Sequence, residues 1–242
     1  MTFKPCNPNT LGLLAPTLPQ ATRHGVGRSA AMNLTVRVPP YPDMDPGDLI
    51  ELFWDHHYVA PAVVDAHDLD DGVWLRVPHS FLRTGKARTW YRVSKVGYPP
   101  ADSPVVKLWV KLDVPGGERL VAGDDENQGL PPLHIPRRIR RGGLGIEQLQ
   151  AGLDLTIEAY PNMDAYDEIT VRWGDVRMDL PAISAEAVGK PIRLRVPSAL
   201  IVEAGLGRTQ DVTYCVIDRV GNNSRWAPPR RIQVPDVELA QA

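Results

Sequence analysis

The sequence predicts an all-β chain folded as two tandem antiparallel β-sandwiches. Three observations carry that expectation. The first is an internal repeat in register. Tyr41-Pro42-Asp43-Met44-Asp45 returns as Tyr160-Pro161-Asn162-Met163-Asp164, Trp54 as Trp173, and Leu75-Arg76-Val77-Pro78 as Leu194-Arg195-Val196-Pro197, all at an offset of 119 residues. The second is a series of short alternating runs separated by turn residues every ~8–12 positions. The third is composition: 24 prolines and 20 glycines interrupt helices, while 43% hydrophobic residues suffice for two modest cores.

The repeat extends in both directions. Leu11 to Pro19 matches Gly129 to Pro136 at an offset of 117, and Trp90-Tyr91-Arg92-Val93 matches Thr213-Tyr214-Cys215-Val216 at 123. The changes in offset fall at turn-rich points such as Ala204-Gly205-Leu206-Gly207, where insertions between core elements are tolerated. The expected organisation is a tail and lead-in over 1–30, a first domain over 31–120, a linker and second lead-in over 121–149, and a second domain over 150–242.

Each unit reads as a succession of strands. Leu34 to Val38 and Leu153 to Ile157 alternate apolar and polar, as half-buried strands do. The Tyr-Pro-x-Met segments supply turn chemistry, followed in the first copy by Pro46-Gly47-Asp48. In the next strands Ile50, Leu52 and Trp54 share one face, as do Ile169, Val171 and Trp173. Trp74 to Val77 and Ile192 to Val196 end at Pro78 and Pro197, which cannot continue a central ladder. Tyr91 and Val93 point inward together with Tyr214 and Val216, leaving Cys215 on the opposite face. Val106 to Val110 and Arg230 to Val234 close the two units. Short helical turns are expected at Ile146 to Gln150 and Ile183 to Val188. A buried Trp on an early-middle strand and a Tyr on a penultimate strand fit the immunoglobulin-like sandwich, without the disulfide of antibody domains.

The order Tyr160-Pro161-Asn162-Met163, Val171-Arg172-Trp173, Val188-Gly189-Lys190-Pro191, Val196-Pro197, Val212-Thr213-Tyr214 resembles the Ig-like repeats of large Gram-negative bacterial surface and adhesin-type proteins. The resemblance covers roughly residues 11–235, including the proline-flanked segment ahead of each unit. The first copy departs from it, carrying Asp68-Leu69-Asp70-Asp71-Gly72 in place of Val-Gly-Lys-Pro. The matching positions are turn and core residues, so the resemblance implies a fold together with a stalk, adhesion or partner-binding role.

Bulk properties exclude several classes. A net charge of −2 gives no whole-chain field for nucleic acid or membrane, and no apolar run reaches spanning length. The first twenty residues lack a continuous apolar core and a cleavage site, so they do not read as a secretory signal. Export to the surface or medium without a conventional signal peptide is one expectation, and residence in the cytoplasm the other. The two cysteines, Cys6 and Cys215, read as free thiols, with an intermolecular link through Cys6 as the alternative. Nucleophile-elbow, zincin, phosphate-loop and Cys-x-x-Cys patterns are absent from the sequence, and the polar residues shared by both copies sit at turns. The sequence therefore predicts no enzyme and no cofactor.

Three groups of residues stand out as candidate sites. Trp90, Tyr98 and Trp109 of the first copy replace Thr213, Asn222 and Gln233 of the second, and on an outer face they suit a protein partner or a sugar ring. Arg137, Arg138, Arg140 and Arg141 form a basic run ahead of the second domain that could hold an acidic partner. His56, His57, Asp65 and His67 form the densest set of metal-ligand types, in a segment read as a loop. The leading functional reading is a non-catalytic binding or spacer protein acting on protein or cell-surface partners. The alternatives are a carbohydrate-binding module using the first copy's aromatics, and a metal-dependent protein using the His/Asp segment from 56 to 71.

Overall fold

The computed structural model describes residues 11–118 and 125–236. The chain divides into two compact units, Met1–Leu112 and Asp113–Ala242, each an Ig-like β-sandwich.

In the first unit the strands are β1 (Val26–Gly27), β2 (Thr35–Val38), β3 (Leu49–Trp54), β4 (His57–Val63), β5 (Val73–Arg76), β6 (Gly85–Ser94), β7 (Ala101–Asp102) and β8 (Val106–Lys111). One sheet has the order β1-β8-β6-β3-β4, with β7 also paired to β6; β2 and β5 form the opposing sheet. Two single-turn helices, α1 (Arg28–Ala31) and α2 (Asp68–Asp71), lie in connections. In the second unit α3 (Arg137–Gly142) and α4 (Ile146–Ala151) precede β9 (Leu153–Ile157), β10 (Glu168–Trp173), β11 (Val176–Asp179) and β12 (Ile192–Val196). Then come α5 (Ser198–Glu203), β13 (Thr209–Ile217), β14 (Asn223–Trp226) and β15 (Arg230–Gln233). The larger sheet runs β11-β10-β13-β14 with β15 also on β13, and β9 pairs β12 opposite.

Both units use the same register. Leu52 lies opposite Tyr91 and Trp54 opposite Thr89; Val171 lies opposite Tyr214 and Trp173 opposite Val212. The 119 and 123 offsets are therefore satisfied by one ladder. Alternation along β3 and β10 sends Ile50, Leu52 and Trp54, and Ile169, Val171 and Trp173, into the two cores, where both indoles are at most 1% exposed. The lead-in segments pack on these sandwiches. Leu13 and Leu130 are fully buried, Thr17 bridges to Arg37, and His134 bridges to Thr156. The inward tyrosines hold these segments: Tyr91 Oη donates to the Leu14 carbonyl and Tyr214 Oη to the Pro131 carbonyl, each at 2.8 Å.

One expectation needs correction. The segment from His56 to Asp71 is not a loop, because His57–Val63 forms strand β4 beside β3 and Asp68–Asp71 forms α2. Pro61 obscures this strand in the sequence, yet it is compatible with an edge position, where a missing N–H costs no ladder bond. The short helical turn expected within Ile183 to Val188 is a 3₁₀ turn at Ala185–Ala187, while Ile183 itself pairs backbone to backbone with Tyr166 and Asp167. The helical turn expected near Ile146 is α4. Cys215 is half-buried on β13, and burial pushes its thiol above the ordinary range. Cys6 lies outside the described residues.

Candidate binding face of the first domain

Strand alternation that sends Leu52 and Trp54 inward turns Phe53 outward, and the same parity on β6 turns out Arg88, Trp90 and Arg92. Phe53 and Trp90 are cross-strand partners, and their rings stack with centroids 5.3 Å apart and planes 8° apart. Tyr58, opposite Phe53 on β4, meets it edge-on at 6.0 Å. The result is a row of three aromatic rings across β4, β3 and β6. Such rows combine large apolar area with fixed geometry.

Charged groups border the row on both sides. On one side Arg92 lies 5.6 Å from the Phe53 ring centre and forks onto Asp102, with Nε–Oδ1 at 2.7 Å and Nη2–Oδ2 at 3.1 Å. On the other stand Arg88 and Lys107, cross-strand partners that are both exposed. The Asp55 carboxylate turns to the Arg88 backbone rather than to its guanidinium: Oδ1 accepts the Arg88 backbone N–H at 2.9 Å. A cleft of about 390 Å³ opens here, lined by Phe53, Trp90, Arg88, Lys107, Asp102 and His56 among others.

The second domain carries different chemistry on the matching face. Arg172 and Arg177 stand where the first domain has Phe53 and Tyr58, and Thr213 stands where it has Trp90. The two guanidinium groups lie 4.6 and 5.7 Å from the ring of Trp226, which is the cross-strand partner of Cys215. Aromatic rows and arginine–tryptophan stacks thus occupy equivalent places in the two copies.

The sequence-derived candidates separate in space. Trp90 is in the aromatic row. Trp109 shares its sheet face but lies opposite Lys86, lining a different cavity of about 930 Å³ with Thr17, Ala21 and Arg23 of the lead-in. Tyr98 is exposed on the turn after β6, with Lys95 Nζ 6.0 Å from its ring centre. Arg137, Arg138, Arg140 and Arg141 are exposed around α3, which is fastened by buried Ile139. His56 and His57 sit at the start of β4, whereas Asp65 and His67 lie beyond its end. A seven-residue strand spans roughly 23 Å at ~3.3 Å per residue, so the two halves of that set do not meet. Asp65 Oδ1 instead accepts the His67 backbone N–H at 2.7 Å, and Asp68 Oδ2 accepts that of Asp65 at 2.9 Å. Among the described residues no three metal-ligating side chains converge. Sequence reasoning missed Phe53, Tyr58, Arg88 and Lys107. The outward parity of Phe53 is readable from alternation, but Tyr58 lies in a strand whose sequence has loop character.

No family model and no curated protein matches the chain. Among solved structures, one of a 1.5-MDa bacterial ice-binding adhesin aligns over 92% of this chain and 65% of that one, at 13% identity and a TM-score of 0.39. The chain thus spans just under two thirds of that structure's length. Fibronectin(III)-like modules of Clostridium thermocellum CbhA align over 93% of this chain and 96% of that one, at 10% identity and a TM-score of 0.49. A tetra-tandem repeat from the extending region of a large adhesion protein aligns over 86% and 46%, at 11% identity and a TM-score of 0.30. The likeness to these repeat domains and modules is one of fold. Among the described residues no helix is long and apolar enough to cross a membrane.

Proposed function

We propose that the chain is a non-catalytic binding module in which the first domain carries the contact surface and the second supports it. One observation carries this reading: the Tyr58–Phe53–Trp90 row, bordered by charged side chains and open to a cleft, is present on one copy and replaced on the other. Both copies share what the fold requires. A feature confined to one of them is free to serve a partner, and an aromatic centre with a charged rim is the composition of binding hot spots. The partner class is a protein or a surface glycan, and cell fractionation distinguishes residence at the cell surface or in the medium from residence in the cytoplasm.

The binding test uses the whole labelled chain on printed glycans and on intact cells. The double variant Phe53→Arg/Trp90→Thr installs the second copy's residues and leaves the strand pattern intact. It is expected to lose binding while circular dichroism still reports two folded domains. Equal binding by the folded variant and the parent chain overturns the proposal.

A further inference from the structure

Arg88 and Lys107 face each other directly across β6 and β8, and no ion pair to either is present among the described residues. Like charges directly opposite in an antiparallel pair are destabilising. The second domain shows that the fold does not require them. Its matching rung is Asp211 opposite Arg231, an acid–base pair at 3.4 Å. The first domain therefore carries two unneutralised cations where its sister carries a salt bridge, and they line the same cleft as Trp90.

We infer that this cleft binds an acidic saccharide, with the sugar's apolar face against the Trp90–Phe53 wall and its carboxylate between Arg88 and Lys107; the inference rests on the reading of this face as the contact surface. An anion at that rung relieves the repulsion and accepts charge-assisted hydrogen bonds from both side chains. The rest of the cleft selects among anions. Asp102 and Asp55 also line it, so a run of carboxylates meets repulsion, whereas one carboxylate among hydroxyls does not. The Arg92–Asp102 fork and His56 supply donors and acceptors suited to ring hydroxyls. The volume of about 390 Å³ lies within the range of small-ligand sites, roughly 300–1,000 Å³. An acidic peptide satisfies the two cations but brings no hydroxylated ring to the aromatic wall.

The test is calorimetric titration of the whole chain with tetrasaccharides that carry a single glucuronate, galacturonate or mannuronate ring among neutral hexoses, each beside its all-neutral counterpart, at ~50 and ~500 mM salt. At least one uronate is expected to bind about tenfold more tightly than its neutral counterpart, with the preference shrinking at high salt. Arg88→Asp recreates the second domain's acid–base rung, so it is expected to erase the preference without lowering the melting temperature. The inference is overturned if no uronate is preferred, or if the preference survives Arg88→Asp. Binding of a polyglutamate peptide in place of the uronates, lost in Arg88→Asp, also overturns it while leaving the contact face in place. Saccharide or peptide binding that survives Trp90→Thr removes the contact face itself.

Discussion

Tyr160 donates its phenolic hydrogen to Asp167 Oδ2 across 2.9 Å, with both side chains buried, and Tyr41 does the same to Asp48 Oδ2 at the same distance. The accepting oxygen also takes the backbone N–H of Asp164 at 3.0 Å in one copy and of Asp45 at 3.2 Å in the other. The Tyr-Pro-x-Met-Asp segment is thus folded around a carboxylate seven residues beyond its tyrosine. The residue between Pro and Met takes a left-handed backbone, with φ of 56° at Asp43 and 59° at Asn162, which Asp and Asn tolerate better than other side chains. Tyr160→Phe removes the donor and leaves the buried carboxylate short of a partner. It should cost about 1–3 kcal/mol, read from urea unfolding. A change below a few tenths of a kcal/mol would show that the hydrogen bond is dispensable.

Four buried phenols set the alkaline limit. Burial raises Tyr41, Tyr91, Tyr160 and Tyr214 above the ordinary value of 10.0, and the neighbouring Asp48 and Asp167 add to the rise at Tyr41 and Tyr160. The folded chain then keeps protons that the unfolded chain releases. Their stabilising effect is fully present below the unfolded value near 10 and declines as pH rises past it. Urea midpoints should be flat in these groups' contribution up to about pH 10 and fall steeply above it. Tyr160→Phe should flatten that fall, and an unchanged slope would remove Tyr160 from the explanation.

Trp173 is fully buried at the centre of the second core. Trp173→Ala leaves a cavity that close-packed neighbours cannot fill, at a cost of about 3–5 kcal/mol. Thermal unfolding should show the second domain melting far below the first, whereas a single unshifted transition would contradict the packing described above.

Tyr166 holds φ at 70° and is 61% exposed, at the position where the first copy has Gly47 at φ 99°. A non-glycine residue in the left-handed region pays roughly 1–2 kcal/mol. Tyr166→Gly should therefore stabilise the second domain by about 0.5–1 kcal/mol, after the greater chain entropy of glycine is offset. A lower melting temperature would mean that the exposed ring makes contacts outweighing the strain.

Much of the fold was legible because repetition supplies a second reading of every strand. The inward parity of Trp54 and Trp173 followed from alternation, and the shared register of Tyr91 and Tyr214 followed from the offsets. The strand His57–Val63 was not legible, since its histidine and proline mimic loop chemistry and edge strands need no continuous apolar face. Asp48 reads as an ordinary turn residue, and nothing local reveals that at Asp48 or Asp167 a side chain seven positions away buries its hydroxyl on the carboxylate. The binding face was half legible. Trp90 stood out by contrast with Thr213, but the like-charged rung of Arg88 and Lys107 exists only once β6 and β8 are aligned.

The parallel pairing of β1 with β8 joins the beginning of the first sandwich to its end, through Val26 opposite Val110 and Gly27 opposite Lys111. Because the two strands run the same way, the chain leaves this pair in opposite directions along the strand axis. Once the lead-in held at Leu13, Leu14 and Thr17 has been drawn off, a pull on the two ends of the domain is directed along the strands, across the rungs that join them. Those rungs bear the load together and in shear, where antiparallel termini would unzip one at a time. Tension would meet a brittle clasp at one edge of the first domain's larger sheet, and the aromatic face on β6, β3 and β4, toward the other edge, would keep its shape until that clasp gives way.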